Sequence, residues 1–342
     1  MQKQTTCEID IVIPWVDGSD PEWQKLKQAY SGNITDDSIE LNKESRYRDW
    51  DTLKYSFRSI ELYGQWVRHV FFVTCGQIPK WLNTQHPKLK LVNHEDYIPK
   101  QYLPTFSSHT IELNLHRIKD LSEYFVYFND DFFLTAPTKP EDFFINGLPC
   151  DTPALMPIVP TIPGHVFVHY LLNDLSLVNG HYSLKATFGG HGNKWINPIY
   201  GTKICLRNLL FGRRFSHFVG FENFHMPAPM LKSTFAKVWA MEPDILDATC
   251  KNRFRGLNDV NQYVMSYVNF CENKFIPRSS KYGRYFEIGN NRDALYRAVV
   301  ERQYKYIAMN DTDCPIDFEV EKKFLIDMFE EVFPTRSSFE LG

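Results

Sequence analysis

Short apolar, β-branched runs alternate with helical patterns along the first ~135 residues of the chain. Four such runs predict buried strands, because turn-forming residues bound them; they are 9–15 (IDIVIPW), 67–74 (VRHVFFVT), 89–92 (LKLV) and 123–128 (EYFVYF). Apolar residues at helical spacing predict helices between them, at 22–30, 51–63 and 110–121, with a short helix opening at Trp81-Leu82. This alternation predicts an α/β domain with a largely parallel sheet.

In the second half of the chain, the residue pattern predicts a connection followed by helices. Residues 137–163 are rich in proline and are expected to form a connection or insertion. Apolar helical stretches within 165–215 are expected to be interrupted by a flexible turn at residues 189–192 (GGHG). Further helices are predicted at 235–250, 259–271 and 318–333.

Composition narrows the class of protein. The 342 residues are 43% hydrophobic and 15% aromatic, which supports a sizeable core and excludes a disordered or coiled-coil chain. The formal net charge of −3 argues against a general nucleic-acid binder. The chain has seven cysteines, widely spaced and without a CxxC pair, so we expect free thiols rather than a disulfide framework or a structural zinc site.

The sequence shows no targeting or membrane-spanning pattern. Residues 1–8 are polar where a signal peptide would need an apolar stretch, and no window approaches the ~18 consecutive apolar residues of a membrane span. We therefore expect a soluble, cytoplasmic protein. Peripheral contact with the inner face of the cell membrane stays open, because a surface patch leaves no such signature.

The strongest chemical signal is Asn129-Asp130-Asp131, directly after the fourth predicted strand. Two adjacent carboxylates repel each other unless a positive group lies between them. A divalent metal does this, and carboxylate oxygens suit magnesium or manganese. The alternative is an ordinary strand-terminating turn, since Asn and Asp favour turns.

Two further polar clusters could hold a phosphorylated ligand. The loop with Asp17, Gly18 and Ser19 follows the first strand, where ligands bind in open α/β sheets, although a simple turn and helix cap explains it equally well. Arg46 and Arg48 are candidate phosphate clamps, with a solvated basic turn as the alternative.

The remaining candidates are weaker individually. Glu112 and His116 lie four residues apart on a predicted helix, but such pairs are mostly surface residues. His225 lies between apolar neighbours, where a structural histidine is the more common case, and Arg253 and Arg255 could face an anion or only solvent. The sequence contains no GxSxG, P-loop or GxGxxG motif, which disfavours the enzyme classes that use them.

Taken together, these segments resemble the Stealth family of sugar-1-phosphate transferases. The resemblance covers four blocks: IDIVIPWVDGSDP at 9–21; RYRDWDTLKYSFRSIELYGQWVRHVFFVTCGQIPKWL at 46–82, continuing through LPTFSSHTIELNLHRI to VYFNDDFF at 126–133; GFENFHMPAPMLKSTF at 220–235; and NRFRGLNDVNQYVMSY at 252–267. Animal members carry a second histidine shortly after His-Met-Pro. Here Ala228-Pro229 stands in that stretch, so only His225 is carried over.

The resemblance implies a glycosyltransferase-A-like core that binds a nucleotide sugar, within a single catalytic domain. Residues 1–136 would form the α/β nucleotide-sugar-binding part, and 137–342 an insertion plus the catalytic C-terminal part. The implied reaction transfers a sugar-1-phosphate from a nucleotide diphosphate sugar to a glycan or lipid-linked oligosaccharide acceptor. Nucleoside monophosphate is released, and the product belongs to capsule or exopolysaccharide synthesis.

The resemblance also implies roles for individual residues. The implied active-site set is Glu112, Asp131, His225 and Arg255; the implied donor site is Asp17, Gly18, Ser19 and Arg46. Asp130 and Asp131 would hold Mg2+ or Mn2+, and Arg255 would contact the transferring phosphate. Either His225 or Glu112 could take the acceptor proton.

Two alternatives remain open at this point. An ordinary metal-dependent glycosyltransferase that moves only the sugar would show similar carboxylates. A non-catalytic sugar-binding protein on the same scaffold is the second alternative, and the full set of acidic and basic candidates argues against it.

Overall fold

The computed structural model describes residues 7–33, 49–160, 167–311 and 316–342. The strands are β1 (Ile9–Pro14), β2 (Val70–Thr74), β3 (Leu89–Asn93), β4 (Tyr124–Tyr127), β5 (Phe132–Leu134), β6 (Phe144–Ile145), β7 (Leu148–Asp151), β8 (Ala228–Leu231), β9 (Ile276–Pro277), β10 (Gly283–Glu287) and β11 (Tyr306–Asn310). The predicted loop 31–44 lies mostly outside the described residues, and Arg46 and Arg48 lie wholly outside them.

The helices of the described chain are α1 (Pro21–Tyr30), α2 (Leu53–Tyr63), α3 (His94–Tyr97), α4 (Ser108–Leu113), α5 (Phe167–His181), α6 (Leu184–Trp195), α7 (Thr202–Arg214), α8 (Lys232–Met241), α9 (Pro243–Lys251), α10 (Tyr263–Cys271), α11 (Arg292–Val300) and α12 (Phe318–Val332). Short 3-10 turns lie at Ser31–Asn33, Lys100–Tyr102, Leu115–Arg117, Pro140–Asp142, Pro198–Tyr200 and Ser280–Tyr282. Within these ranges, no helix combines the length and apolar character that crossing a membrane requires.

The central sheet confirms the predicted α/β architecture. Its strand order is β3-β2-β1-β4-β8, and the four predicted strands β1 to β4 pair in parallel. β8 runs antiparallel to β4, with Ala228 opposite Tyr127. The carboxyl ends of β1, β2 and β4 therefore meet at one edge of the sheet, where the first residues of the β8 segment also arrive.

Both faces of the sheet are covered, which explains the nearly continuous apolar runs in its strands. Side chains alternate between faces along a strand, so Ile9, Ile11 and Ile13 of β1 join a core with α2, α11 and α12. Val12 points to the other core, shared with α4, α5 and α8 to α10. The sheet thus separates two apolar cores, one on each of its faces.

Several helix predictions are wrong in their bounds. The helix predicted over 110–121 spans only Ser108–Leu113, so Glu112 and His116 do not share a helix face. The segment 235–250 forms two helices, because the chain breaks at Glu242 and restarts with Pro243 at the first helical position. The helix predicted from residue 259 begins at Tyr263.

Two predicted local features differ from the structure. Trp81-Leu82 opens no helix; Leu82 instead forms a β-bridge with Glu340. The glycine-rich stretch 189–192 lies within α6 and interrupts it only locally, because His191 has non-helical dihedral angles and kinks the helix there. The side chains of Phe188 and Trp195, on either side of the kink, are buried in the core.

A second group of strands escapes the sequence pattern. β5 pairs antiparallel with β11, which pairs parallel with β10, and β6, β7 and β9 form another small sheet. Several of these strands have only two to four residues, too few to show a period of two. The proline-rich connection 137–163 therefore contains β6 and β7, while its last residues lie outside the described chain.

A buried ion pair ties the C-terminal tail to α2. The Arg58 guanidinium donates to both carboxylate oxygens of Glu340 at 2.8 and 2.9 Å and to the Phe333 carbonyl at 2.6 Å. Burial alone would raise the pKa of Glu340, but the hydrogen bonds from Arg58 and Ser337 hold it below its ordinary value. The tail is therefore part of the fold, held by a charge pair with little exposure to water.

We expect Arg58→Ala to lower the free energy of unfolding by about 3–5 kcal/mol, because it leaves Glu340 buried without its charge partner. Urea unfolding followed by circular dichroism measures the change. The matched control is Lys323→Ala, which removes an exposed pair with Asp327 and should cost less than ~0.5 kcal/mol. Equal losses in the two variants would contradict the role given to Arg58.

Candidate active site

The candidate site lies at the carboxyl edge of the central sheet. β1 and β4 are neighbours in parallel register, with Val12 opposite Tyr127. The loop after β1 and the Asn129–Asp131 turn after β4 therefore leave the sheet side by side. This is the edge at which open α/β sheets bind their ligands.

The turn after β4 is fixed by backbone hydrogen bonds. Phe132 N donates to the Asn129 carbonyl at 3.2 Å, and Met309 N of β11 donates to the Asp131 carbonyl at 3.0 Å. Oδ1 of Asp131 is buried and has no hydrogen-bond partner within the described chain, while Oδ2 lies 3.4 Å from Nε2 of His225. A buried carboxylate oxygen without a partner is unfavourable unless a ligand completes it.

The electrostatics of Asp130 indicate an excess of negative charge. Partial removal from water, together with the charges of Asp131 and Asp49, raises the pKa of Asp130, although the residue is still reached by solvent. Burial also raises the pKa of Asp49, and the negative charge of Asp17 adds to that rise. The sequence analysis did not single out Asp49, the last residue of the basic stretch 46–49. Only the fold brings its charge close enough to raise the pKa of Asp130.

His225 reaches the site because β8 is paired with β4. The residue precedes β8 by three positions, and the antiparallel ladder carries it back to the end of β4. Its ring packs edge-on against Phe132 at a centroid distance of 5.0 Å, and Nε2 lies 3.5 Å from Nδ2 of Asn129. The structure thus brings His225 and Asp131 together, as the resemblance implied.

Glu112 lies in a buried polar network next to these groups. Tyr127, the last residue of β4, donates its hydroxyl to Oε1 of Glu112 at 2.8 Å. Burial raises the pKa of Glu112, and the nearby His109, Tyr127 and Arg255 oppose that rise. The charges of Glu112 and Arg255 therefore attract each other, although the two residues come from distant parts of the chain.

The loop that carries Arg255 is held by a residue the sequence did not reveal. Asp259 is fully buried and accepts hydrogen bonds from Asn252 Nδ2 at 2.7 Å and Gly256 N at 2.8 Å. Its Oδ2 also lies 3.1 Å from Nδ1 of His109 on α4. Arg255 in turn donates to Ser108 Oγ at 2.9 Å, so α4 and this loop form one unit.

The two arginines of that loop have different roles. Arg253 donates to the Pro104 carbonyl at 2.9 Å, which fixes the loop to the segment before α4. Arg255 is half-buried beside Glu112, as described above. Of the predicted anion-facing pair, only Arg255 is therefore oriented toward the candidate site.

The predicted donor loop folds as a compact turn. The Asp17 carboxylate accepts from the backbone N–H and hydroxyl of Ser19 at 2.9 and 2.6 Å. The Gln77 amide bonds the Asp17 backbone in both directions, and Gly18 O accepts from Gln24. The helix cap that the sequence analysis offered as the alternative explanation is present, since Asp20 caps α1. These contacts are those of an ordinary turn and do not require a ligand. Nucleotide binding by Asp17, Gly18 and Ser19 therefore stays a prediction.

A cleft opens on the far side of His225, with a largely apolar lining into which several polar side chains are set. Six of its lining residues are Asn223, His225, Tyr263, Ser266, Arg278 and Ser280. Arg278 is only 8% exposed; its Nη1 donates to the Asp142 carbonyl at 3.2 Å, and Nη2 lies 3.9 Å from Oδ1 of Asp151. This leaves several of its five N–H donors without a described hydrogen bond.

Asp130 and Asp131 fit the chemistry of a divalent cation. The unpartnered oxygen of Asp131 and the raised pKa of Asp130 are both relieved by a positive ion. Among the described residues, no group of three or more Asp, Glu, His or Cys side chains is arranged to hold a metal ion. Magnesium suits such a sparse site, because it commonly takes one or two carboxylates and fills its shell with water and substrate phosphates.

Sequence comparison supports the resemblance stated above. The model for Stealth protein conserved region 1 matches residues 8–35, and that for conserved region 2 matches residues 46–150. The capsular polysaccharide phosphotransferase WcwK of Streptococcus pneumoniae is 42% identical over 97% of this chain and 98% of its own length. The receptor polysaccharide phosphotransferase WefC of Streptococcus oralis is 38% identical over 98% and 99% of the two chains.

More distant matches extend the comparison. The exopolysaccharide phosphotransferase cps2G of Lactiplantibacillus plantarum is 34% identical over 97% of this chain and 96% of its own. Among solved structures, the galactosyltransferase LgtC in complex with donor and acceptor sugar analogues aligns with 96% of this chain and 98% of its own. The identity is 11% and the TM-score 0.37, so this likeness carries no functional argument.

We expect Asp131→Asn to weaken Mn2+ binding by about tenfold or more, because the amide supplies no negative charge to the cation. Titration followed by electron paramagnetic resonance measures the dissociation constant in the absence of any substrate. Asp327→Asn, an exposed carboxylate on α12, is the matched control and should leave the constant unchanged. Wild-type affinity in a folded Asp131→Asn protein would remove this residue from the cation site.

Proposed function

Since this chain belongs to the Stealth family, we propose that it transfers a sugar-1-phosphate from a nucleotide diphosphate sugar to a hydroxyl of a glycan. The product is a phosphodiester of a capsular or exopolysaccharide, and the nucleoside monophosphate leaves. The near full-length similarity to named polysaccharide phosphotransferases supports the reaction class. The observation that carries the placement of the chemistry is the contact of His225 with Asp131, whose second oxygen lacks a partner.

The chemistry to be accommodated is attack of a hydroxyl on the phosphorus next to the sugar. Negative charge spreads over the phosphoryl oxygens as the nucleoside monophosphate departs, so cationic groups should lie nearby. Asp130 and Asp131 would hold Mg2+ or Mn2+, which neutralises phosphate charge when bound. Arg255 adds a planar guanidinium suited to two phosphate oxygens.

The environments of the two candidate bases favour His225. Glu112 is buried, and one of its oxygens already accepts the Tyr127 hydroxyl. His225 is 29% exposed and lies between the carboxylate turn and the cleft. We assign proton acceptance from the attacking hydroxyl to His225, and to Glu112 the positioning of Arg255.

The two substrates would approach His225 from different sides. The donor would lie along the carboxyl edge of the sheet, near Asp17, Gly18 and Ser19. Arg46 lies outside the described residues and stays a candidate from the sequence alone. The acceptor glycan would enter the cleft, where Arg278 and Asp151 offer a donor and an acceptor of hydrogen bonds to sugar hydroxyls. Tyr263 adds an aromatic face to that cleft, a common feature of sites that bind planar or apolar faces of ligands.

The alternative is an enzyme that moves only the sugar, and the products distinguish the two. If phosphorus is attacked, we expect a nucleoside monophosphate, most simply UMP, one phosphorus per transferred sugar and an unchanged anomeric configuration. Phosphorus NMR of the product and chromatography of the released nucleotide measure this. Release of UDP with a phosphorus-free product would establish the glycosyltransferase instead, and donor binding without any turnover would establish a binding protein.

We expect His225→Ala to reduce kcat by roughly 10²–10⁴ with donor affinity nearly unchanged, because a proton acceptor acts in the transition state. Steady-state kinetics and donor titration by calorimetry separate the two quantities. His181→Ala is the matched control, since that histidine is 34% exposed and pairs with Glu242 on another surface. Parallel losses of rate and donor affinity in His225→Ala would assign the residue to binding rather than to proton transfer.

A further inference from the structure

Helix α7 presents an apolar stripe to solvent. Leu206 and Leu210 are 66% and 62% exposed, and their spacing of four residues places them one above the other on the same helix face. Phe215, just after the helix, and Ile199, just before it, are also exposed. Single exposed leucines are common, but several on one helical unit mark an interaction surface.

The stripe is flanked by basic side chains. Lys203 lies one turn before Leu206, and Arg213 and Arg214 lie one turn after Leu210, all three exposed. None of the three has a carboxylate partner among the residues that the structure describes. The surrounding segment 175–221 contains six Lys and Arg and no Asp or Glu, in a chain with a net charge of −3.

The opposite side of α7 fixes the helix firmly to the protein. Asn208 is fully buried, accepts from Leu155 N at 2.8 Å and donates to two backbone carbonyls. Gly212 packs so closely on Phe188 that a Cβ would stand 2.5 Å from its ring. The orientation of the helix is therefore set by its inner side, and the outer leucines are not needed to define it.

We propose that the outer face of α7, comprising Lys203, Leu206, Leu210, Arg213, Arg214 and Phe215, docks on an anionic lipid surface. An apolar stripe with basic residues at both ends matches the pattern of a helix lying in a membrane interface: the leucines enter the acyl boundary and the cations meet lipid phosphates. A second copy of the chain fits less well, because a two-fold contact through this face would oppose like charges.

The helix is connected to the cleft by an ion pair. Arg207, on the flank of α7, pairs with Glu222, which lies three residues before His225 and lines the cleft. If the proposed function holds, docking through α7 brings the acceptor cleft toward a surface that carries lipid-linked glycans. The docking itself does not depend on that function and is tested without either substrate.

The test is sedimentation of the full chain with vesicles of phosphatidylcholine, with and without phosphatidylglycerol. We expect binding to the anionic vesicles that weakens as salt is raised. The double variant Leu206→Ser/Leu210→Ser should bind about tenfold more weakly to them, through loss of apolar insertion. Arg213→Gln/Arg214→Gln should lose about tenfold and also most of the preference for anionic lipid.

The matched control is Leu62→Ser on α2, a leucine that is 50% exposed on a different helix, and it should bind as the wild type does. Unchanged thermal unfolding shows that each variant is folded. Failure of the wild type to bind either vesicle, or equal binding by all variants, would overturn the proposal. A dimer in solution that the leucine variants dissociate would overturn it in favour of a contact between copies of the chain.

Discussion

The position of β4 between β1 and β8 is the constraint on which the candidate site depends. Parallel pairing with β1 brings the carboxylate turn beside the loop after β1, and antiparallel pairing with β8 brings His225 back to the same point. Both ladders are backbone hydrogen bonds in a sheet covered by apolar cores on both faces. Three segments separated by about a hundred residues each are thereby held at contact distance.

That geometry brings several carboxylates close together, and their mutual repulsion is unfavourable. Asp130 and Asp131 lie next to each other, and Asp49 and Asp17 add further negative charge. A folded protein tolerates such a cluster where a ligand supplies the opposite charge. In the function proposed above, a cation together with the phosphates of a nucleotide sugar supplies that charge.

A second, buried network holds the positive part of the site. Asp259 fixes the loop that presents Arg255, and His109, Ser108 and Glu112 on α4 meet it from the facing side. Buried polar groups of this kind are stable when each has a partner, and the network then defines one geometry. The carboxylate turn and the arginine loop are thus fixed by separate means, one by sheet pairing and one by side-chain hydrogen bonds.

The sequence alone determined the local elements with strong patterns. Strands β1 to β4, the cap at Asp20 and the acidic turn at Asp131 follow from apolar runs, turn residues and capping chemistry, which act over a few residues. Resemblance of motifs then selected Glu112, His225 and Arg255.

Only the tertiary structure decided what lies next to them, because the pairing of β8 with β4, the hold of Asp259 on the Arg255 loop and the proximity of Asp49 to Asp130 are long-range contacts. The same is true of α7, whose Leu206 and Leu210 face solvent because Asn208 and Gly212 fix its other side. Periodicity shows that a helix has an apolar face, but the packing of the whole chain determines which face is covered.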